Sequence, residues 1–258
     1  MPLPPPIALD RAALLLDFDG VFAELRSEPD AVEATPERIA LLRALRRGLD
    51  GRLAVLSGRT LVDLDRVLGG EVEAVAALNG LQRRAPGRAL ADPPPHRSLA
   101  EVTDILQGLA RTWPGVKAEA KGLSVALHYR QAPQTGAEVR RILQAIGRSS
   151  GLAFQDGAMV AELATPGWYK GRAIRDLMSA PPFAGAAPIF AGDDAADEPG
   201  FMAVREAGGF GVLVGERRPT LAQARLAGPE ALRAWLRRSL AQGAFEPPGA
   251  PGAGPAAP

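Results

Sequence analysis

The stretch Leu14-Leu15-Leu16-Asp17-Phe18-Asp19-Gly20 constrains this chain more than any other. Its apolar run is the length of a buried strand and stops abruptly at two carboxylates and a glycine. Side chains two apart along a strand share a side, so Asp17 and Asp19 are expected to leave the sheet edge together. Adjacent acids repel each other unless a cation or a shared proton lies between them. That chemistry suits metal-assisted phosphoryl transfer, with one aspartate as nucleophile and the other as acid/base. A strand running into an Asp-Gly turn looks the same locally, so the deciding partners must come from the rest of the chain.

Around this strand, apolar runs alternate with amphipathic stretches. Ala13–Phe18, Arg52–Leu56 and Val72–Leu78 read as buried strands. Thr35-Pro36 opens a helix with Ile39, Leu41, Leu42 and Leu45 on one face, ending near Gly48, and Thr60–Leu68 reads as a second helix. This order predicts a right-handed parallel βαβ sheet covered on both faces. Pro93-Pro94-Pro95 then breaks the rhythm. It is followed by helix Ser98–Thr112, strands Val116–Lys121 and Leu123–Tyr129, helix Thr135–Arg148, and strands Leu152–Gln155 and Ala158–Leu163. Asp156-Gly157 is the expected hairpin turn between the last two. Leu123, Val125, Leu127 and Tyr129 alternate with Ser124, Ala126, His128 and Arg130, as in an antiparallel sheet with one face open to ligand.

After Pro166 the βα rhythm returns, with helix Lys170–Met178, strand Pro188–Ala191, helix Asp197–Ala207, strand Gly211–Val214 and a closing helix Pro229–Leu240. The fold class expected is α/β: a parallel-sheet core over 13–85 and 166–243, with an inserted α+β cap of two αββ units over 86–165. Residues 1–12 are expected to be flexible and the Pro/Gly/Ala tail over 244–258 disordered. His96, after the proline run, is expected to be a solvent-exposed linker residue.

Composition excludes several classes. Thirty basic against 29 acidic residues leave a formal net charge of +1, which argues against a nucleic-acid binder or a polybasic membrane protein. The absence of cysteine removes disulfides, thiolate metal sites and a cysteine nucleophile. No early segment has the pattern of a signal peptide and no run is long enough to span a bilayer, so the cytoplasm is the expected compartment. Lys117, Lys121 and Lys170 are the only lysines. A chain so biased to arginine is expected to keep lysine where a compact ammonium is needed.

Three further stretches fall where such a fold places its strand-end loops. Ser57-Gly58-Arg59 follows the second strand and opens a helix, offering a hydroxyl and free N–H groups to a phosphate, although a serine there also serves as an ordinary helix cap. Lys170-Gly171 opens another helix, where a cation is poorly placed unless an anion lies nearby. Gly192-Asp193-Asp194-Ala195-Ala196-Asp197-Glu198 follows Ile189-Phe190-Ala191. Asp197 and Glu198 can cap and charge the next helix, but Asp193 and Asp194 have no such role, and an oxygen-only cluster suits Mg²⁺.

In this order, DFDG, SGR, KG and GDD resemble the haloacid dehalogenase superfamily of phosphatases. Within it, the chain is similar to the trehalose-6-phosphate phosphatases from about Ala13 to Gly215. The residues carrying that closer likeness are Asp17-Phe18-Asp19-Gly20 with Pro29, Leu56-Ser57-Gly58-Arg59, Glu119-Ala120-Lys121-Gly122 and His128-Tyr129-Arg130. Glu162 with Pro166-Gly167, Lys170-Gly171, and Gly192–Glu198 with Phe201 complete the set.

The resemblance implies a Rossmann-like core and a Mg²⁺-dependent hydrolysis of trehalose 6-phosphate through an aspartyl-phosphate. It implies Asp17 as nucleophile, Asp19 as acid/base, and Ser57 and Lys170 as holders of the phosphoryl group. Asp17, Asp19 (through its carbonyl), Asp193 and Asp194 would serve the metal. Gly20, Gly58, Arg59, Glu119, Lys121, His128, Arg130 and Glu162 would bind substrate. A trehalose-phosphate synthase is the implied functional partner, and neither nucleic acid nor membrane is expected. The sequence departs from the family pattern at Val21, at Ala196 and at Asn79-Gly80, where Thr, Thr and His-Gly are usual. These departures leave open a phosphatase for another sugar phosphate, of the sucrose-phosphate or mannosyl-phosphoglycerate type, and a catalytically weakened sugar-phosphate sensor.

Overall fold

In chain order, the computed structural model has β1 (Ile7–Ala8), β2 (Ala12–Asp17), α1 (Pro36–Gly48), β3 (Leu53–Leu56), α2 (Leu61–Leu68), β4 (Ala74–Ala77) and β5 (Gln82–Arg84). Next come α3 (Leu99–Thr112), β6 (Lys117–Ala120), β7 (Ser124–His128), α4 (Gly136–Ser150), β8 (Ala153–Gly157) and β9 (Val160–Ala164). The last third holds α5 (Lys170–Met178), β10 (Ala187–Gly192), α6 (Glu198–Glu206), β11 (Phe210–Val214), β12 (Ala224–Leu226), α7 (Pro229–Gln242) and β13 (Ala244–Phe245). The structure describes residues 3–26 and 31–249; Pro29 lies outside them. Among these residues, no helix is long and apolar enough to cross a membrane.

The chain divides into two compact units. The larger takes the chain up to Leu90, Tyr169–Asp193 and everything from Asp197 onward; the smaller takes Ala91–Trp168 with Asp194–Ala196. In the larger unit a seven-stranded sheet runs β12-β11-β10-β2-β3-β4-β5, parallel except for β5, which pairs antiparallel with β4 at one edge. Strand β2 is buried along its whole length and lies between β10 and β3. Alternation along β2 sends Leu14 and Leu16 into one apolar cluster, with residues of α1, α2 and α7, and Ala13 and Leu15 into the other, with α5 and α6. Asp17 continues the Ala13–Leu15 row and so faces α5, which begins at Lys170.

Residues 7–11 and 244–245 are more ordered than their composition suggests; 1–2 and 250–258 lie outside the described residues. Strand β1 pairs antiparallel with β13, so residues 7–11 and 244–245 correct the expectation of flexible ends over 1–12 and 244–258. The reason is burial: the Phe245 ring is fully enclosed, its centroid 5.3 Å from that of the tilted Trp235 ring, and Ile7 packs on the same cluster. Apolar anchors outweigh the proline and glycine around them.

The smaller unit is a four-stranded antiparallel sheet, β6-β7-β9-β8, with α3 and α4 on its apolar face. Val125 and Leu127 of β7 join Leu106 and Leu143 in its core, leaving Ser124, Ala126 and His128 on the other face. The hairpin turn falls two residues later than expected. Gly157 pairs with Val160, so the loop is Ala158-Met159, with Met159 at φ +63°, and Asp156-Gly157 belong to β8. The register that puts Phe154 opposite Leu163 on the core side fixes the strand through Gly157. His96 is half-buried rather than an exposed linker residue: its N–H donates to the Thr165 hydroxyl, and its Nδ1 accepts the Ser98 N–H near the start of α3.

Candidate active site

Three strand ends and one helix start of the larger unit supply the site. The β2 carboxylate, Asp17, is only 6% exposed. The first residue of α5, Lys170, is 4% exposed and puts its Nζ 3.1 Å from Asp17 and 2.7 Å from Asp197. An ammonium at a helix start is unfavourable by itself, and these two carboxylates are what hold it there. Carboxylate oxygens of Asp17, Asp193 and Asp197 lie within 4.8 Å of one another. Three carboxylates against one ammonium leave two negative charges in excess, the complement of one divalent cation. With hard oxygen donors only, the set suits a hard divalent cation.

Asp197 is the residue that sequence reasoning undervalued. It is fully buried; its Oδ1 accepts from Lys170 and its Oδ2 accepts the Asp193 N–H at 2.9 Å. It therefore orients both the cation and the loop carrying Asp193. A short 3₁₀ turn, Ala195–Asp197, brings it inward. Gly192 makes room, since a Cβ there would overlap the Asp197 side chain. Asp194, expected to serve the metal, is not in the cluster: its Oδ1 accepts the Ala196 N–H at 2.9 Å. Arg218, which no motif flagged, clamps the same loop by donating to the Asp193 carbonyl and to Glu198.

Asp19 lies two residues past the end of β2. The strand ends at Asp17, and the chain turns at Gly20 (φ +78°), where a Cβ would overlap the Asp193 carboxylate. Asp19 is held by both donors of the Arg59 fork, at 2.6 and 2.8 Å. Arg59 is 7% exposed, and its guanidinium lies 5.6 Å from the Phe18 ring centroid. Expected to touch substrate, Arg59 is placed here as a partner of Asp19.

Ser57 is 2% exposed at the end of β3 and its hydroxyl accepts the Arg59 N–H at 3.2 Å. The cap of α2 is Thr60, which accepts the Asp63 N–H, so Ser57 is not spent on capping. Gly58 follows it, near the Asn79 side chain. Asn79 adopts φ +55° and its N–H donates to the Ser57 carbonyl.

The polar face of the smaller unit gathers the other expected residues. Glu119, Ala126, Glu162 and Gln155 form one cross-strand row over β6, β7, β9 and β8. Lys121 Nζ is 3.4 Å from Glu162 and 3.7 Å from Glu119, and His128 Nε2 is 2.7 Å from Glu119. Arg130 stands beyond β7, donating to the Ala158 carbonyl. Gln155 belongs to this face by parity with Glu162, a relation that only the register reveals.

An α/β sheet carrying a buried carboxylate-lysine cluster at its strand ends, with an inserted α+β unit, defines a phosphatase of the haloacid dehalogenase type. Solved structures share the fold, among them a trehalose-6-phosphate phosphatase related protein (TM-score 0.72, 26% identity, 90% of this chain and 98% of that one). Another is the C-terminal domain of Candida albicans trehalose-6-phosphate phosphatase (TM-score 0.80, 20% identity, 90% and 93%). A superfamily phosphatase from Bacteroides thetaiotaomicron aligns with a TM-score of 0.60 at 15% identity, over 89% of this chain and 95% of that one. The trehalose-phosphatase family model matches residues 15–230. The Escherichia coli trehalose-6-phosphate phosphatase is 36% identical over 226 residues, 87% of this chain and 85% of that protein. A probable trehalose-phosphate phosphatase of Sinorhizobium fredii is 35% identical over 213 residues, 82% and 80%. This chain belongs to the trehalose-phosphatase family.

Proposed function

We propose that this enzyme hydrolyses trehalose 6-phosphate to trehalose and phosphate, with Mg²⁺, through an aspartyl-phosphate on Asp17. The observation that carries the reading is the buried Asp17 carboxylate, with Lys170 at 3.1 Å and two further carboxylates beside it. Asp17 attacks phosphorus while the bond from phosphorus to the sugar oxygen breaks, and Asp19 gives that oxygen its proton. Asp19 then takes a proton from water, whose oxygen attacks phosphorus and releases Asp17. Each Asp19 oxygen accepts one N–H from Arg59 and keeps a second lone pair for the reacting group.

Ser57 and Lys170 hold the phosphoryl oxygens, and Lys170 neutralises charge as it builds up. Asp17 and Asp193, positioned by Asp197, would hold Mg²⁺. When bound, the ion offsets the negative charge of the carboxylates and of the phosphoryl oxygens. Glu119, Lys121, His128, Arg130 and Glu162 provide acceptors and donors for sugar hydroxyls. The substrate comes from a trehalose-phosphate synthase reaction.

The test is phosphate release across a panel of sugar phosphates, with and without Mg²⁺. Strong preference for trehalose 6-phosphate and loss of turnover on chelation are expected. Equal turnover of glucose 6-phosphate, or a preference for sucrose or mannosyl-glycerate phosphates, would overturn the substrate assignment. Tight binding without turnover would indicate a sensor.

A further inference from the structure

One side chain of the smaller unit crosses a strand. Lys121 lies just past β6, and its N–H donates to the Ser124 carbonyl at 2.8 Å, which sets it opposite the first residue of β7. Its Nζ nevertheless meets Glu162 on β9, and β7 lies between those two strands. Adjacent strands are about 4.8 Å apart, so the two side chains together bridge roughly two spacings above β7. On that face β7 presents Ser124 and Ala126. Ala126 pairs with Glu119 on one side and Glu162 on the other, so it sits between the two carboxylates that Lys121 joins.

Ala126 is 0% and Ser124 1% exposed, and among the described residues the Ser124 hydroxyl has no hydrogen-bond partner. A buried hydroxyl without a partner is a cost, and its polarity is not what this position uses. What Ser124 and Ala126 have in common is small size. The Lys121 side chain is 8% exposed, consistent with a chain lying on this floor instead of standing in solvent.

We propose that Ser124 and Ala126 are positioning residues: they form a low saddle over which Lys121 reaches Glu162. That crossing draws Glu119, Lys121 and Glu162 into one connected group. The proposal rests on the reading of this group as the sugar-recognition element. A branched side chain at 126 occupies the path of Lys121, turns its ammonium away and separates the two carboxylates. Valine and leucine there keep the site apolar and, for valine, favour the strand.

The test is steady-state kinetics of the full chain with trehalose 6-phosphate and with p-nitrophenyl phosphate, a small substrate without sugar. Ala126→Leu is expected to raise KM for trehalose 6-phosphate about tenfold or more while leaving kcat/KM for the aryl phosphate within about twofold. Ala126→Val should show a smaller rise, of about threefold, and Ala126→Ser should behave as the parent. Ala126→Leu combined with Lys121→Ala should be no worse than Lys121→Ala alone, because both act through one ammonium. The inference is overturned by a KM within about twofold of the parent, by additive losses in the double variant, or by equal loss on both substrates. If Ala126→Leu loses aryl phosphatase activity through misfolding, Ala126→Val decides by the same criteria. A parent enzyme with no preference for trehalose 6-phosphate over glucose 6-phosphate instead overturns the functional reading. Intact preference with unchanged Ala126 variants overturns this inference alone.

Discussion

Replacing Asp197 by asparagine separates a helix-capping role from a role in the site. The change keeps the shape but leaves a single carbonyl oxygen where two carboxylate oxygens now accept, one from Lys170 at 2.7 Å and one from the Asp193 N–H at 2.9 Å. The amide NH₂ must therefore face one of these donors. Turning the carbonyl to Lys170 sacrifices the Asp193 bond and strands a backbone N–H, at a cost of about 1–3 kcal/mol. Weakening the Lys170 contact from charged to neutral adds about 1 kcal/mol. A total of about 2–4 kcal/mol corresponds to roughly 5–15 °C in a unit of this size, at about 2–4 °C per kcal/mol.

Loss of the Asp193 contact also loosens a carboxylate of the metal cluster, so affinity for Mg²⁺ should fall about 10–100-fold. Thermal unfolding with and without MgCl₂, alongside phosphate release, measures both effects. The parent should gain stability with Mg²⁺ and the variant should gain less at the same concentration. A variant melting within about 1 °C of the parent, with the same response to Mg²⁺ and full turnover, would refute the reasoning.

Asp17→Asn should abolish phosphate release while circular dichroism and melting remain those of a folded protein, since the nucleophile is lost and the strand stays buried. Phe245→Ala removes a fully enclosed ring packed on Trp235 and should cost about 3–5 kcal/mol in denaturant unfolding; a loss under about 1 kcal/mol would mean that the chain end does not pin the closing helix. Burial alone would push the Glu24 carboxyl up, but the Arg233 guanidinium donating to it, reinforced by nearby positive charge, holds it below its ordinary value of 4.5. A depressed folded value stabilises above the unfolded one and fades as pH falls through the folded one. Glu24→Gln should therefore lower the melting temperature at pH 7, with the difference closing as the pH falls below the carboxyl's ordinary value of 4.5; a difference that widens in acid would contradict the sign.

Much of the core was legible because its strands are apolar runs and its helices carry their caps in sequence. Thr35 caps α1 as Thr35-Pro36 suggests, whereas the cap of α2 is Thr60 and not Ser57, the other residue that could have served. Helix α5 spans Lys170–Met178, the stretch the periodicity marks. The edge strands β5 and β12 escaped because each is three residues long, with too few positions for a period to register. The strand pair at the chain ends escaped for a different reason. Composition averages over a window, whereas the pairing rests on Ile7 and Phe245 individually.

Within the site, what sequence could not supply was the pairing of side chains from separate elements. Asp197 lies four residues after Asp193, a spacing equally suited to a helix cap, and only the inward 3₁₀ turn selects the buried role. The first strand was expected to end at Phe18 and ends at Asp17; what the sequence could not show is that Arg59, from the end of another strand, pairs with Asp19.

The same geometry weighs on the two unorthodox positions. Val21 is fully buried in the apolar cluster that holds Phe18 and Phe22. A hydroxyl at that position would sit among hydrocarbon, where it costs free energy unless bonded, and valine removes that cost. Ala196 contributes its backbone N–H to Asp194, a bond any residue other than proline can make. Neither is itself a member of the cluster of Asp17, Lys170, Asp193 and Asp197. Both departures lie outside that carboxylate-lysine cluster, so phosphate release, against tight binding without turnover, is what separates the enzyme from the sensor.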